Sequence, residues 1–475
     1  MIANLKPYPE YKESGSKWLG RVPEHWAVLP NRALFAEVKD RNHPDEELLS
    51  VTIIKGIVRQ KTLLADSSKK DSSNQDKSAY KLVQPRDIAY NKMRAWQGAI
   101  GASAFRGIIS PAYVVMRLRQ KDNLPEYFHH LYRTPQFAKE AERWSYGITS
   151  DMWSLRPEHF KMIYTPEPPP TEQAAIVRFL NWANGRLDRT ILAKRKIIKL
   201  LEEQKQVIIH QAVTRGLGPD VKLKSSGIPW IGDIPQHWEI RHIGSFCRVG
   251  NGSTPSRSQP LYWNGGTYPW LNSSQVNRAF IGSADQFVTQ TALRECHLPR
   301  VPKDSVLVAI TGQGKTRGTS AVLGIEATIN QHIAYMTPQT SVSFPDFLHL
   351  TLMAAYLNLR AVSEDSGSTK GALTCEDLKR FKLPLPPVSE QKELVTFIGG
   401  ATSSITVTIS RLEREIDLLR EYRTRLIADV VTGKLDVREA AAKLPDEIVA
   451  NPDAEVCDDE LIDEEEDVTA LENEN

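Results

Sequence analysis

Residues 309–316, AITGQGKT, follow the strand-like run SVLVAI and end in Gly-Lys-Thr. With Ala309 in the first glycine position, the stretch fits a relaxed phosphate loop, in which backbone N–H groups, a lysine and a hydroxyl hold nucleotide phosphates. That chemistry would make the chain an NTPase. Two features oppose it. The next residues, RGTSAVLG, read as a turn and a strand, whereas a phosphate loop must open a helix whose N-terminus faces the anion. No clear apolar strand ending in a metal-binding Asp follows in the same region. Other reaction signatures are missing as well: a Gly-rich methyl-donor loop after a strand, an Asn/Asp-Pro-Pro-aromatic segment, and an acidic pair with lysine for a nuclease metal. The four cysteines (Cys247, Cys296, Cys375, Cys457) form no CxxC or Cys/His cluster, so neither zinc nor a disulfide framework is expected.

What remains is a set of hydrogen-bonding side chains beside glycines and turns. YNKMRAWQGAIG, from Tyr90, gathers Asn91, Lys92, Arg94, Trp96 and Gln97, and GIISPAYVV offers Ser110 and Tyr113 at the entry to a buried strand. SYGITSDMWSL adds Ser145, Thr149 and Ser150 on a loop. Further along, NSSQVNR supplies Asn272, Ser273, Gln275 and Arg278. TGQGKTRG supplies Gln313, Lys315, Thr316 and Arg317, and INQH supplies Asn330, Gln331 and His332. Duller roles compete: Trp96 in a core, Ser110–Tyr113 as a structural turn, His332 as a satisfied histidine. Charge points to a polyanion. The net charge of +2 conceals fourteen Asp/Glu and no Lys/Arg over residues 445–475, so the first 444 residues carry +16. Such a body suits nucleic acid, and the tail reads as disordered and solvating.

These side chains must be positioned by something, and the sequence repeats itself to supply it. SGSKWLGRVPEHW, from Ser14, returns 212 positions later as SGIPWIGDIPQHW, with seven of thirteen residues identical. PEPPPTEQAAIVRFL, from Pro166, answers PLPPVSEQKELVTFI, from Pro384, at an offset of 218. In each, prolines stop what precedes, Thr171 or Ser389 would cap a helix, and Glu172 or Glu390 suits its first turn. Apolar residues then recur in steps of three and four: Ile176, Leu180, Ala183, Leu187, Ile191, Ile198, Leu201, Ile208 and Ala212. The second copy has Leu394, Ile398, Ala401, Ile405, Ile409, Ile416, Leu419, Leu426 and Val430. This is a coiled-coil seam. Lys205 and Arg423 interrupt it at matching places, and Gly185 and Gly399–Gly400 are points where the helices could bend. Each helix needs a partner. The matched seams favour pairing within the chain over a coiled coil between chains.

The expected fold is therefore α+β: two mixed globular blocks separated by two long antiparallel helices that form an internal coiled coil, with a pseudo-twofold internal repeat. The boundaries are 1–26 (a joint segment repeated at 213–238), a block over 27–165, a helix over 166–215, and a linker and joint over 216–238. A second block over 239–383, a second helix over 384–436 and a C-terminal region over 437–475 complete the chain. Trp26 and Trp238 are expected as buried anchors of equivalent joints. At 41% hydrophobic and 25% charged, with no long apolar run and no apolar signal core, a soluble cytoplasmic protein is expected, and no membrane partner.

This layout resembles the specificity (S) subunit of type I restriction–modification systems. The resemblance is carried by GIPWIGDIPQHW, PPPTEQAAIV, PPVSEQKELV, GIISPAYVVMRL, NGSTPSRSQPLYW and ATINQHIA, in order along nearly the whole chain. It implies that the blocks are target-recognition domains, each reading half of a split sequence in double-stranded DNA. Arginine would pair with guanine and Asn or Gln with adenine, each bidentate contact contributing about 1–3 kcal/mol. Lys92 would meet phosphate, which positions rather than specifies. The resemblance also implies that the helices set the spacer and dock two modification (methyltransferase) subunits, joined by restriction subunits that are ATP-dependent translocases and nucleases. S-adenosylmethionine, ATP and Mg would then sit on those partners, and this chain would be non-catalytic. A coiled-coil scaffold that reads no DNA is the alternative, and the NTPase using 309–316 a more distant one.

Overall fold

The computed structural model describes residues 5–65, 76–147, 153–312, 315–364 and 371–445. Gln313, Thr149, Ser150 and the acidic tail lie outside them. The chain divides into two compact units, one of Met1–Arg195 with Glu413–Asn475, the other of Lys196–Leu412. Each holds one globular block and a part of both long helices.

In the first unit the joint segment forms a hairpin, Tyr11–Glu13 against Arg21–Pro23. Strand Ala27–Pro30, just after Trp26, pairs antiparallel with Tyr164–Glu167, which leads into the first long helix. Between these lies a four-stranded antiparallel sheet in the order Phe35–Val38, Tyr113–Leu118, Ile88–Asn91, Ile100–Ala102. Period-2 alternation sends Ile88, Tyr90, Val114 and Met116 to one face. There they join Phe128, Tyr132 and Phe160 in a core that continues onto Ile176, Leu180, Leu426 and Val430 of the helices. The opposite face buries Ala89 and Val115 under Leu49, Val51 and Ile57.

The second unit repeats the plan. Its hairpin is Leu223–Ser225 with Asp233–Pro235, and Glu239–His242 pairs with Lys382–Leu385 ahead of the second long helix. Its main sheet has five strands, Cys247–Asn251, Ile333–Pro338, Val306–Ala309, Ser320–Leu323 and Phe280–Ile281, antiparallel except for the last pair. A smaller sheet of Gln286–Val288, Tyr268–Leu271 and Thr328–Ile329 has no counterpart among the described sheets of the first unit.

The helices run without a break from Pro170 to Arg215 and from Val388 to Val431. Thr171 and Ser389 are not caps; each lies second in its helix. Pro170 takes the first helical position, where its fixed φ fits and its missing N–H is no loss. Glu172 and Glu390 do occupy the first turns. The pairing is internal and antiparallel: Arg423 bonds Asp188 and Lys194 bonds Glu415 in the first unit, while Lys205 Nζ donates to Thr406 Oγ1 at 3.1 Å in the second. Asp188 and Thr406 are 218 apart, as are Lys205 and Arg423, so the repeat preserves one polar cross-helix pair, a device that fixes register. Ile176, Leu180, Leu187, Ile191, Leu394, Ile398, Ile405, Ile416 and Leu426 are buried; Ile198, Leu201, Ile208, Ile409 and Leu419 are half-buried. Near the end of the first helix Ile209 and Val213 take over the buried stripe.

Gly185 and Gly399–Gly400 do not interrupt the helices, and a Cβ at any of them would meet nothing within 4 Å. Alanine removes the conformational entropy that glycine brings to the unfolded chain, about 0.5–1 kcal/mol per site. The double substitution Gly399→Ala/Gly400→Ala is expected to raise stability by about 1–2 kcal/mol in urea unfolding. A loss would show that the glycines serve a packing contact.

The joints explain the segment that is repeated from Ser14 and from Ser226. Trp26 and Trp238 are both fully buried. Trp26 Nε1 donates to Glu172 Oε1 at 2.9 Å and His25 Nε2 lies 2.7 Å from Oε2; Trp238 and His237 make the same pair of contacts with Glu390 at 3.0 and 2.8 Å. Each tryptophan also packs on the left-handed glycine that terminates the other helix, Gly433 (φ 79°) beside Trp26 and Gly216 (φ 73°) beside Trp238. The neighbouring Gln173 and Gln391 are buried and bind the blocks, accepting from the Leu124 and Phe344 N–H groups at 2.8 and 2.7 Å. In each unit a Glu-Gln pair on the first helical turn therefore fastens joint and block to the helix.

Candidate nucleic-acid interface

In the first unit, Asn91 ends strand Ile88–Asn91 and its Oδ1 accepts from the Met93 N–H at 3.0 Å. A short 3-10 turn over Ala95–Gln97 and left-handed Gly98 (φ 98°) then return the chain to strand Ile100–Ala102. The loop is braced from within: Trp96 Nε1 donates to the Met93 carbonyl at 2.8 Å and its ring meets Trp153 edge-on, so Trp96 is half in the core. Gln97 is exposed, and Lys92 and Arg94 are half-buried. Sheet register sets Tyr113 directly opposite Asn91. Ser110 Oγ accepts from Ala112 N–H in the turn before Tyr113. Thus the two stretches singled out in this block are neighbours, and Arg94 is close enough for its charge to oppose the burial that raises the Tyr113 phenol pKa.

Sequence reading missed the cations around them. Lys81 bonds the Tyr113 carbonyl, and burial, then the charges of Lys92, Arg41 and Lys39, push its ammonium below the usual range. Positive charge from three stretches of sequence, Lys39 with Arg41, Lys81, and Lys92, is gathered near the Tyr113 carbonyl. The bridge of Arg41 with Lys81, and the Lys81 bond to Tyr113, which pairs with Asn91, bring it together.

The equivalent hairpin in the second unit joins Val306–Ala309 to Ser320–Leu323. This overturns the phosphate-loop reading, because the chain after Thr316 turns back as an antiparallel strand and offers no helix N-terminus to an anion. Lys315 is exposed while its carbonyl accepts from Tyr356 Oη at 2.7 Å, and the Thr316 carbonyl accepts from Thr319 Oγ1 at 2.6 Å. Arg317 is buried, its guanidinium donating to the Gly371 carbonyl, so it braces the loop and is not presented to a ligand. Asn330 is likewise buried, its Oδ1 accepting from His332 N–H at 3.0 Å. Gln275 is buried with Nε2 donating to Asp285 Oδ2 at 2.8 Å. Polar residues in Gly-rich or Ser-rich stretches look solvated, which makes these three candidate contacts in the sequence; here they are buried and bonded to protein partners.

Gln331 remains exposed and lies in a surface chain of hydrogen bonds that runs Thr254, Gln331, His332, Thr311. Asn272 accepts from Ser274 Oγ at 2.6 Å with Ser273 beside it, and Arg278 is exposed. Thr254 and Arg257, which lies 3.9 Å over the Trp263 ring, were not singled out; both fall in the quoted NGSTPSRSQPLYW, where the Arg and Trp were the available signal. In both units, then, a hairpin loop and the turn before the neighbouring strand stand side by side. Among the described residues no group of three His, Cys, Asp or Glu could share a metal ion, and no helix is long and apolar enough to cross a membrane.

Residues 235–415 match the family described as the type I restriction modification DNA specificity domain. The putative type I restriction enzyme MjaX specificity subunit of Methanocaldococcus jannaschii is 21% identical over 443 residues, covering 90% of this chain and 98% of that protein. The EcoR124I/EcoR124II specificity subunit of Escherichia coli is 23% identical over 181 residues, a match to 38% of this chain that spans 45% of that relative, under half its length. A chain solved in work on complex assembly and conformational transition of the type I R-M system superposes with a TM-score of 0.61 at 16% identity, covering 87% of this chain and 99% of that one; it shares the fold.

Proposed function

We propose, for a chain that belongs to the type I restriction–modification specificity-subunit family, that each of its two units reads one half of a bipartite, asymmetric DNA sequence. One observation carries this reading. Each unit presents a hairpin loop and an adjoining turn at the same place on the same scaffold, yet with different side chains: Asn91, Lys92, Arg94, Gln97, Ser110 and Tyr113 in one, Lys315, Thr316 and Gln331 with Asn272, Ser273 and Arg278 in the other. Similar scaffolds give similar docking, and dissimilar loops give dissimilar half-sites. The long helices joining the units set the number of unread base pairs and dock two modification subunits, to which restriction subunits add. S-adenosylmethionine, ATP and Mg are carried by those partners; this chain contributes binding alone.

Lys92 and Lys315 act on phosphate. Lys92→Ala and Lys315→Ala are each expected to weaken binding about equally on all sequences and to lower the slope of log affinity against log salt by about 1. Titration of duplex DNA at several salt concentrations reads both. The proposal as a whole is tested by selecting bound sequences from random duplexes, with and without modification subunits. Two unlike motifs at a constant gap are the expected outcome; no consensus in either arm would mean a scaffold without DNA reading.

A further inference from the structure

Arg133, which follows helix Pro125–Tyr132, reaches two separate segments of the first unit at once. Its Nη1 donates toward the carbonyls of Thr52, Gly98 and Ile100 at 3.4, 3.3 and 3.1 Å, and its Nη2 to those of Ile53, at 2.7 Å, and Ile54. Thr52–Ile54 belong to the tip of the hairpin formed by Leu49–Thr52 and Gly56–Arg59; Gly98 and Ile100 close the loop that carries Asn91–Gln97. A guanidinium with five donors in one plane can span two rows of carbonyls; a lysine cannot.

The slot around it is built to fit. A Cβ on Gly56 would come 3.0 Å from the His129 ring and 3.4 Å from Arg133 Nη1, and one on Gly101 would come 2.9 Å from the same ring. His129 fills the space between the hairpin tip and strand Ile100–Ala102, and its Nδ1 accepts from the Ala102 N–H at 3.3 Å. Burial and the neighbouring Arg133 keep that imidazole neutral, as an acceptor requires. The two tips also meet directly, since a Cβ on Gly98 would lie 4.0 Å from the Ile53 carbonyl. In the second unit the hairpin loop is held differently, by Tyr356 on the Lys315 carbonyl and Arg360 on that of Arg317. Met353 stands where the offset of 220 between helices Pro125–Tyr132 and Pro345–Ala354 would place the arginine.

We propose that Arg133 is a positioning residue that locks the Ile53–Gly56 hairpin tip to the Asn91–Gly98 loop, so that the tip, through Ile54 and Lys55, is a second sequence-reading element of the first unit. An apolar side chain there can meet a thymine methyl, a contact the polar loop does not provide, and Lys55 can add a phosphate contact that positions the tip. The inference rests on the DNA-reading proposal above, and it confines the effect of Arg133 to one half-site.

The test is binding-site selection with the full chain and its modification subunits, comparing wild type with Arg133→Met, Arg133→Lys and the half-buried tip variants Ile54→Ala and Lys55→Ala. Arg133→Met and Arg133→Lys are expected to relax one half of the bipartite consensus at least tenfold, leaving the other half and the gap unchanged. Ile54→Ala is expected to relax the same half. A wild type that selects no consensus defeats the DNA-reading proposal itself. A wild-type consensus that Arg133→Lys, Ile54→Ala and Lys55→Ala all leave intact in both halves overturns the inference alone. If Arg133→Met fails to fold by circular dichroism, the two tip variants decide, because alanine leaves in place the backbone carbonyls that Arg133 holds.

Discussion

Replacing Glu172 with alanine is expected to destabilise the first unit by about 3–5 kcal/mol, while Glu390→Ala costs the second about 1–2 kcal/mol. The two carboxylates hold equivalent tryptophan–histidine pairs, so equal losses would be the naive expectation. The difference lies in what else each one satisfies. Glu172 is 5% exposed and also accepts from the hydroxyl of buried Tyr8, whose phenol pKa is raised by burial and then by that hydrogen bond, which keeps it a donor. Alanine there strands two buried donors, Trp26 Nε1 and the Tyr8 hydroxyl, at about 1–3 kcal/mol each. The Glu390 side chain keeps 27% of its exposure, so water can take its place. Glu172→Gln, with one acceptor oxygen, is expected to fall between wild type and Glu172→Ala. Urea unfolding of the three variants measures the order; equal losses at the two joints would refute this account of them.

Inserting four residues at matching places in both long helices is expected to lengthen the unread gap by one to two base pairs and leave both half-sites unchanged. Four residues add about 6 Å of helix, against roughly 3.4 Å per base pair. Insertion in one helix only would slip Asp188 from Arg423 and Lys205 from Thr406, and is expected to cost stability instead of changing the gap. Selection from random duplexes reads the gap. A spacer unaltered by the double insertion would show that the helices do not set it.

The helices were legible because their signal is periodic and long. The step of three and four over some 40 residues, repeated at an offset of 218, picked out Ile and Leu positions that are buried or, at Ile198, Leu201, Ile208, Ile409 and Leu419, half-buried, and it missed the shift to Ile209 near one end. The repeated Pro-rich entry and the Trp-containing joint were legible for the same reason: two copies of one physical unit need the same residues. Helix starts were misread by one turn position, since Thr171 and Ser389 are good caps in isolation but Pro170 enters the helix more readily.

The candidate interface was legible only in part. Polar residues in loops were easy to find, and sheet register then made neighbours of Asn91 and Tyr113, and of Thr254 and Gln331. Which of them face outward was not in the sequence. Arg317, Asn330 and Gln275 are polar or cationic like Lys315, Gln331 and Asn272, yet packing turned them inward to meet carbonyl, N–H and carboxylate partners of the protein. Local composition reports how much hydrogen bonding a loop can do; whether a partner is protein or ligand depends on contacts made across tens of residues. The sequence by itself determined the repeat, the seam and the two joints, because those rest on period and identity. Only the tertiary structure decided which polar loop side chains stay exposed, and that Arg133 ties two loops together, because both are matters of long-range register.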